Sequence, residues 1–423
     1  MLQIQNIRDN KEQILLALNK RNKDFSSTID QLLEIDAQRR KIQQEMEAFL
    51  AQGNALAKQI GDLFKSGNKA EADALKEQTA TIKQNSKQLE EKLAVLEAEQ
   101  QQLLYLLPNT PHESVAFGKG AEENVNVKEV GTIPILPENK KAHWDLADQY
   151  GLIDFETGVK ITGAGFPIYR GKGAILQRAL INFFLDEARK AGYEEVIPPH
   201  VVNEASGYGT GQLPDKEGQM YHIGVDDLYL IPTAEVPLTN IYRDVILKES
   251  ELPVRITGYT PCFRREAGSY GKDVRGLNRL HQFDKVEIVQ IAHPNDSYTI
   301  LEDMVKHVEG LLQKLELPYR ILRLCGGDMG FTSALTYDFE VFSAAQERWL
   351  EVSSTSNFET FQANRLKCRI KGQDGKTILA HTLNGSALAL PRIVASLLEN
   401  HQTADGIRIP AALVPYTGFE WIK

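Results

Sequence analysis

From Leu32 onward the apolar residues Ile35, Ile42, Met46, Phe49, Leu56, Ile60 and Leu63 recur at spacings built from threes and fours, which predicts one helix with a single apolar stripe. The stripe stops at Ser66-Gly67-Asn68, three residues suited to a turn, and resumes through Leu75, Ile82, Leu89, Leu93, Leu96 and Leu103. Pro108 and Pro111 end it. Two helices of similar length with a short turn between them should fold back antiparallel, each burying its stripe on the other over about 50 Å. A dimerising coiled coil is the alternative. Thr79, Ser86 and Gln100 dilute the second stripe, and the turn supplies an intramolecular partner at high effective concentration.

Beyond this hairpin the pattern changes. Residues 107–140 are rich in Pro, Gly, Asn and Glu and read as a linker with short strands. From about Ala142, helical stretches at 173–192 and 297–315 alternate with strand-like runs at 194–197, 228–231, 286–291 and 336–342. Strand-like runs lie close together, with hairpin-length gaps across 254–265 and 276–289, which favours an antiparallel sheet with helices packed on it over strict βαβ alternation. The domains expected are a helical arm at 1–108, a linker at 109–141 and a catalytic domain at 142–423.

Composition narrows the function classes. With 423 residues, 42% hydrophobic and 25% charged, the chain is ordinary globular protein of more than one domain. A net charge of −9 argues against bulk-charge binding to nucleic acid, so a nucleic-acid partner would be recognised by shape and a few positions. Between Ile29 and Tyr105 ten Lys/Arg face thirteen Asp/Glu, and Arg39-Arg40-Lys41 is the one obvious basic cluster of the arm. Cys262, Cys325 and Cys368 fit neither a disulfide framework nor a zinc ribbon. Residues 1–10 carry no apolar signal segment and no run is long enough to span a membrane, so a cytoplasmic protein without a membrane partner is expected.

The chain lacks GxxxxGK[ST], HExxH and CxxC patterns. Gly171-Lys172-Gly173 reads as a turn before a helix rather than a nucleotide loop. The segment that carries chemistry is Cys262-Phe263-Arg264-Arg265-Glu266-Ala267-Gly268, followed by Arg279-Leu280-His281-Gln282-Phe283-Asp284-Lys285-Val286-Glu287. Two alternating strands joined by a loop would place Arg264, Glu266, Phe283 and Glu287 on one sheet face. An arginine there can take a phosphate or carboxylate bidentately, a ring can stack on a base, and a carboxylate can accept hydrogen bonds from amino groups. An exposed, ion-paired hairpin is the competing reading.

These segments resemble motif two of the class II aminoacyl-tRNA synthetases. Gly192-Tyr193-Glu194-Glu195-Val196-Ile197-Pro198-Pro199 resembles motif one, and Asn384-Gly385-Ser386-Ala387-Leu388-Ala389-Leu390-Pro391-Arg392 resembles motif three, with Pro391 where that family commonly has Gly. The arm, together with Gly209-Thr210-Gly211-Gln212-Leu213-Pro214, Thr233-Ala234-Glu235, Glu351-Val352-Ser353-Ser354 and Phe361-Gln362-Ala363, extends the likeness from end to end to the bacterial seryl-tRNA synthetases. The fold this implies is α+β, a class II antiparallel sheet flanked by helices and preceded by an antiparallel two-helix coiled-coil arm.

The resemblance implies an enzyme that uses ATP and Mg²⁺ to activate L-serine and charge tRNA(Ser), with tRNA(Sec) a further substrate in bacterial members, acting as a homodimer. Serine-binding residues would be Thr233, Ala234, Glu235, Arg264, Glu287 and Ser386. Thr233 would take the ammonium, Glu287 the hydroxyl and Arg264 both the carboxylate and the α-phosphate. ATP would meet Arg264, Arg265, Glu266, Phe283, Glu351, Val352, Ser353, Ser354 and Arg392, with Phe283 and Arg392 sandwiching the adenine and Glu351 and Ser354 holding the metal. Read without the family, Thr233 is a helix cap, and Glu340 is a structural ion-pair partner. Two other readings stay open: a class II homologue that activates an amino acid for a carrier protein, and a paralogue that keeps the fold without the activity.

Overall fold

A computed structural model of the chain describes residues 1–215, 217–266 and 275–423. The chain divides into two compact units, residues 1–19 with 23–108, and residues 20–22 with 109–423.

In the first unit, two short helices (Ile4–Asp9 and Lys11–Asn19) precede α1 (Ser26–Lys65) and α2 (Lys69–Leu106), which pack along their lengths as an antiparallel hairpin. The turn falls where the stripe breaks. Gly67 adopts φ +80°, its N–H donates to Phe64 O, and Asn68 N–H reaches back to Leu63 O at 3.0 Å. This pair of bonds satisfies two of the last carbonyls of α1, and glycine takes the left-handed position without the clash a Cβ would cause. Charge also enters the seam. Asp36 is buried and accepts from Arg8 Nε at 3.0 Å, Arg40 Nε at 3.1 Å, and Arg39 Nη2 and Gln100 Nε2 at 3.3 Å. Two members of the expected basic cluster are therefore engaged in neutralising a buried carboxylate, and Gln100 works as a polar contact rather than a gap in the stripe.

The second unit is built on an eight-stranded sheet. Its strands are β1 (Val125–Val130), β2 (Glu194–Glu195), β3 (Val254–Phe263), β4 (Gln282–Ala292), β5 (Tyr319–Arg323), β6 (Leu335–Ser343), β7 (Arg348–Asn357) and β8 (His381–Ala389). They run in the order β1-β5-β6-β7-β8-β4-β3-β2, antiparallel throughout except for the β2–β3 pair. Helices α3 (Gly171–Lys190), α4 (Glu235–Asn240), α5 (Ser297–Lys314) and α6 (Leu390–Asn400) pack on it. One apolar core joins Phe183, Phe184, Val286, Ile288, Leu301, Val308, Phe339, Leu383 and Leu397. An α+β fold with an antiparallel sheet preceded by a helical hairpin is thus what the chain adopts.

Two local expectations change. The stretches expected to contain short gaps are single strands, β3 of ten residues and β4 of eleven, paired with each other along their length. Gly258 interrupts the apolar pattern yet continues the strand, because a Cβ there would sit 2.7 Å from Val196 O. Helix α3 begins at Gly171, inside the stretch expected as a turn. Gly173 lies so close to Leu152 that a Cβ would meet its carbonyl oxygen at 2.2 Å. The 125–130 segment of the expected linker supplies the edge strand β1.

Candidate active site

Strand β4 organises the site, since period-two alternation puts Phe283, Lys285 and Glu287 on one face. Glu287 pairs with Gly258 of β3 on one side and Ser386 of β8 on the other. Lys285 and Glu287 are both buried, and Lys285 Nζ lies 2.6 Å from Glu287 Oε2. Lys285 also donates to Thr233 Oγ1 at 2.8 Å, and the Thr233 hydroxyl donates to Glu287 Oε2 at 3.3 Å. Glu235 N–H, at the start of α4, donates to the same Thr233 oxygen at 3.2 Å. Thr233 is not the helix cap expected of it, since the N-cap of α4 is Ala234; it is part of a buried charged cluster, and both lone pairs of its hydroxyl are engaged.

Glu235 closes the cluster. Its carboxylate accepts from Gln362 Nε2 at 2.7 Å, and the Thr382 hydroxyl holds that amide in orientation by donating to Gln362 Oε1 at 2.7 Å. Burial, and then the neighbouring charge of Glu287, push the Glu235 carboxyl up to about 7, against the pull of Gln362 and Lys285. Two buried carboxylates thus share one buried cation. Such a cluster favours an incoming ammonium group.

The polar residues next along β4 are arranged differently from a pair of regular strands. Strand β3 ends at Phe263, so Arg264, Arg265 and Glu266 lie in the following loop rather than alternating on the sheet. Arg264 is fixed by its backbone N–H to His281 O at 2.9 Å and its Nε to Pro232 O at 3.3 Å, and its guanidinium lies 5.2 Å from the Phe283 ring centroid. Arg265 is exposed and held by its backbone to Gln219 O. Glu266 has φ +47°, an uncommon conformation for a residue with a Cβ, and pairs with Arg279 at 2.8 Å. Ala267 and Gly268 of the motif lie outside the described residues.

On the other side of β8, a bulge shapes β7. Phe339 pairs with Ser353 but Glu340 pairs with Glu351, so Val352 is one residue too many for its partner strand. Residues three apart on a regular strand point to opposite faces. With the extra residue, Val352 and Ser353 are both buried while Glu351 and Ser354 both remain accessible. Ser354 Oγ donates to Asp338 at 2.6 Å, and burial together with the nearby Glu351 raises the Asp338 carboxyl well above its usual range. Arg392, in the first turn of α6 just after Pro391, donates to Glu351 O at 2.6 Å and to Asn278 O at 3.2 Å. Proline at this position lacks only an N–H that the helix start leaves unused. Glu340 forms an ion pair with Arg320.

Lys285, Gln362, Asp338 and Arg279 were not singled out by sequence reasoning, yet each contacts a residue that was. For Lys285 the signal existed: it sits between Phe283 and Glu287 on the same alternating face. A cavity of about 470 Å³ lined by Gln177, Ile181, Leu185, Tyr259 and Asp284 includes Asp284, on the opposite face of β4, and is separate from this cluster. Among the described residues no three His, Cys, Asp or Glu side chains group as a metal cage, and no helix is long and apolar enough to cross a membrane.

Comparison with known proteins decides the family. The model of the seryl-tRNA synthetase N-terminal domain matches residues 1–111, and that of the tRNA synthetase class II core domain (G, H, P, S and T) matches residues 221–401. A serine--tRNA ligase of Salinibacter ruber is 51% identical over 421 residues, covering 99% of this chain and 98% of its own. The chain belongs to the seryl-tRNA synthetase family. A solved seryl-tRNA synthetase from Pyrococcus horikoshii complexed with ATP superposes with a TM-score of 0.92 at 36% identity, covering 100% of this chain and 99% of that one. The cytoplasmic serine-tRNA ligase of Naegleria fowleri in complex with AMP gives 0.87 at 26% identity, over 100% and 99% of the two chains. Seryl-tRNA synthetase architecture therefore extends over the arm and the sheet alike.

Proposed function

We propose that this chain condenses L-serine with ATP to seryl-adenylate and pyrophosphate, then transfers the seryl group to the 3′ end of tRNA(Ser). The observation that carries the reading is the buried Thr233–Lys285–Glu287 cluster opposite Ser386, on a strand face that continues to Phe283 with Arg264 stacked on it. A carboxylate beside a small hydroxyl side chain selects for a substrate hydroxyl, because alanine would leave buried polar groups unpaired. Glu235 and Glu287 supply the negative charge for the ammonium, and Ala234, fully buried with Leu238, Ile256 and Val289, backs the segment that carries Thr233 and Glu235. Arg264 bridges the serine carboxylate and the α-phosphate and offsets their mutual repulsion as the carboxylate oxygen attacks phosphorus and pyrophosphate leaves. The ribose hydroxyl of the tRNA then attacks the acyl carbon and AMP departs. No protein nucleophile is required.

Phe283 and Arg392 flank the adenine, Glu266 accepts from its amino group once released from Arg279, and Arg265 together with the 351–354 strand faces the phosphates. The donor set at Glu351 and Ser354 suits Mg²⁺: both are hard oxygens, Asp338 accepts the Ser354 hydroxyl hydrogen bond and leaves the hydroxyl lone pairs available, and Glu351 has only a 3.9 Å contact with Arg392. Held there mainly by phosphate oxygens, Mg²⁺ would neutralise the triphosphate. The reading also assigns residues 1–108 as the tRNA-binding arm, 109–141 as linker and 142–423 as the catalytic domain. It extends to tRNA(Sec), to a cytoplasmic location and to a homodimer, which would cover the exposed Ile197 beside the short edge strand β2 and the groove at Ile181 and Leu185.

Pyrophosphate exchange with each amino acid, followed by charging of bulk tRNA, tests the reading. Serine-dependent exchange and serine-charged tRNA are expected, and removal of residues 35–103 should keep the first and abolish the second. Absence of serine-dependent exchange would overturn the activity, and exchange without charging would favour a carrier-protein acceptor.

A further inference from the structure

Glu399 and Arg392 lie seven residues apart on α6 and so on one side of it, two turns from each other. Glu399 is fully buried, as is His143 at the start of the helix His143–Gln149. Glu399 Oε1 accepts from His143 N–H at 2.9 Å, from His143 Nδ1 at 2.7 Å and from Gln346 Nε2 at 2.9 Å, and Oε2 accepts from the Ser343 hydroxyl. A carboxylate this deep requires such a full set of donors. The far side of the imidazole faces a loop: Leu277 N–H donates to His143 Nε2 at 2.9 Å. A backbone N–H can only donate, so Nε2 carries no proton and Nδ1–H points at Glu399.

The loop segment held there is the return limb that follows Glu266. Four consecutive residues seat on this patch. The Arg275 guanidinium lies 4.5 Å over the Trp144 ring, which packs edge-on to His143. Gly276 has φ +64°, and a Cβ on it would come within 2.3 Å of His143 Nε2. Leu277 makes the imidazole bond, and Asn278 donates to Gln346 Oε1 at 3.2 Å while its carbonyl accepts from Arg392 Nε. The contacts close a circuit from Arg392 through Asn278 and Leu277 to His143, then Glu399, and back along α6 to Arg392.

We infer that His143 and Glu399 are positioning residues for ATP binding: they clamp the return limb of the loop against α6 and so set where Arg392 presents its guanidinium. Both are fully buried and act only through their protein contacts. The inference rests on the reading of Arg392 as an adenine-side residue. Packing alone could hold the helix, but only an acceptor at Nε2 fixes the height of the Leu277 backbone, and only Gly276 lets the chain approach closely enough to use it.

The test is serine-dependent pyrophosphate exchange with folding monitored in parallel. His143→Phe keeps an aromatic ring, somewhat larger, and removes both side-chain bonds. It should raise KM for ATP roughly tenfold, the scale of losing one well-placed hydrogen bond, and leave KM for serine within about twofold. His143→Gln, which returns an acceptor near Nε2, should recover part of the loss. Gly276→Ala acts from the loop side, where its Cβ would push the chain off His143, and should show the same selective loss should His143→Phe not fold. An unchanged KM for ATP in the folded variants, or KM values for ATP and serine that rise together without rescue by Gln, overturns the inference. Arg392→Ala separates the two layers: if it leaves KM for ATP unchanged, the reading of Arg392 fails, whatever the clamp variants do.

Discussion

Replacing Lys285 by methionine removes the one buried cation of the Thr233–Glu235–Glu287 cluster and nearly conserves side-chain volume. Lys285 and Glu287 are 7% and 2% exposed at their side chains, so solvent does little to screen what remains. Breaking a buried pair from one side costs about 3–5 kcal/mol, because the partner charge stays behind unpaired. The loss should depend on pH, and Glu235 gives the sign. Its folded carboxyl titrates at about 7, above the usual value of 4.5. Between those values the folded state holds a proton that the unfolded chain lacks, so stability falls as pH rises through that window and levels off above it. Lys285 is one of the influences that lower Glu235, so its removal carries the upper edge of the window higher. Lys285→Met should therefore lose about 3–5 kcal/mol at pH 6 from the unpaired Glu287, and lose more by pH 9, where Glu235 is ionised beside it as well.

The assay is urea unfolding followed by tryptophan fluorescence at both pH values. Trp144, Trp349 and Trp421 are the only tryptophans in the chain, and all three lie in the second unit, so the signal reports the unit that contains the cluster. The double variant Lys285→Met with Glu287→Gln should regain most of the stability, since it leaves no unpaired charge. An unshifted midpoint, or an equal loss at pH 6 and pH 9, would refute the account of two carboxylates sharing one cation.

Glu287→Ala should lower kcat/KM for serine by roughly tenfold or more while KM for ATP stays close to that of the parent, and near-normal serine kinetics would remove Glu287 from the substrate site. Arg21→Ala should cost at least about 3 kcal/mol in the same unfolding assay. Burial brings the Arg21 guanidinium down to about 10, and it donates to the carbonyls of Asn109, Met329, Gly330 and Ser333, all within its own unit. Arg21→Lys, with three donors in place of a planar fork, should rescue little of that loss.

The arm was legible in the sequence because everything that shapes it is local. The stripe, its break and the Gly67 turn lie within one stretch of chain, and three-four spacing reports directly which face is buried. Even so, the Arg39-Arg40-Lys41 cluster reads as free positive charge until Asp36 is seen buried between the arginines. A single acidic residue in a stripe carries no mark of burial. The candidate site was legible as a set of residue types and not as a geometry, for a related reason. Glu287 meets Ser386 only because β4 is inserted between β3 and β8, and such pairing of distant strands leaves no period in the sequence. Alternation failed at the two places where the sheet departs from regularity. Strand β3 ends one residue before Arg264, and β7 gains Val352 as an extra residue. At the second of these, regular alternation would set Glu351 and Ser354 on opposite faces, and one of the two would be turned away from a shared cation. The bulge leaves both accessible while burying the two residues between them. On the proposed Mg²⁺ reading, the irregularity that the pattern could not foresee is what would let these two oxygens serve one ion.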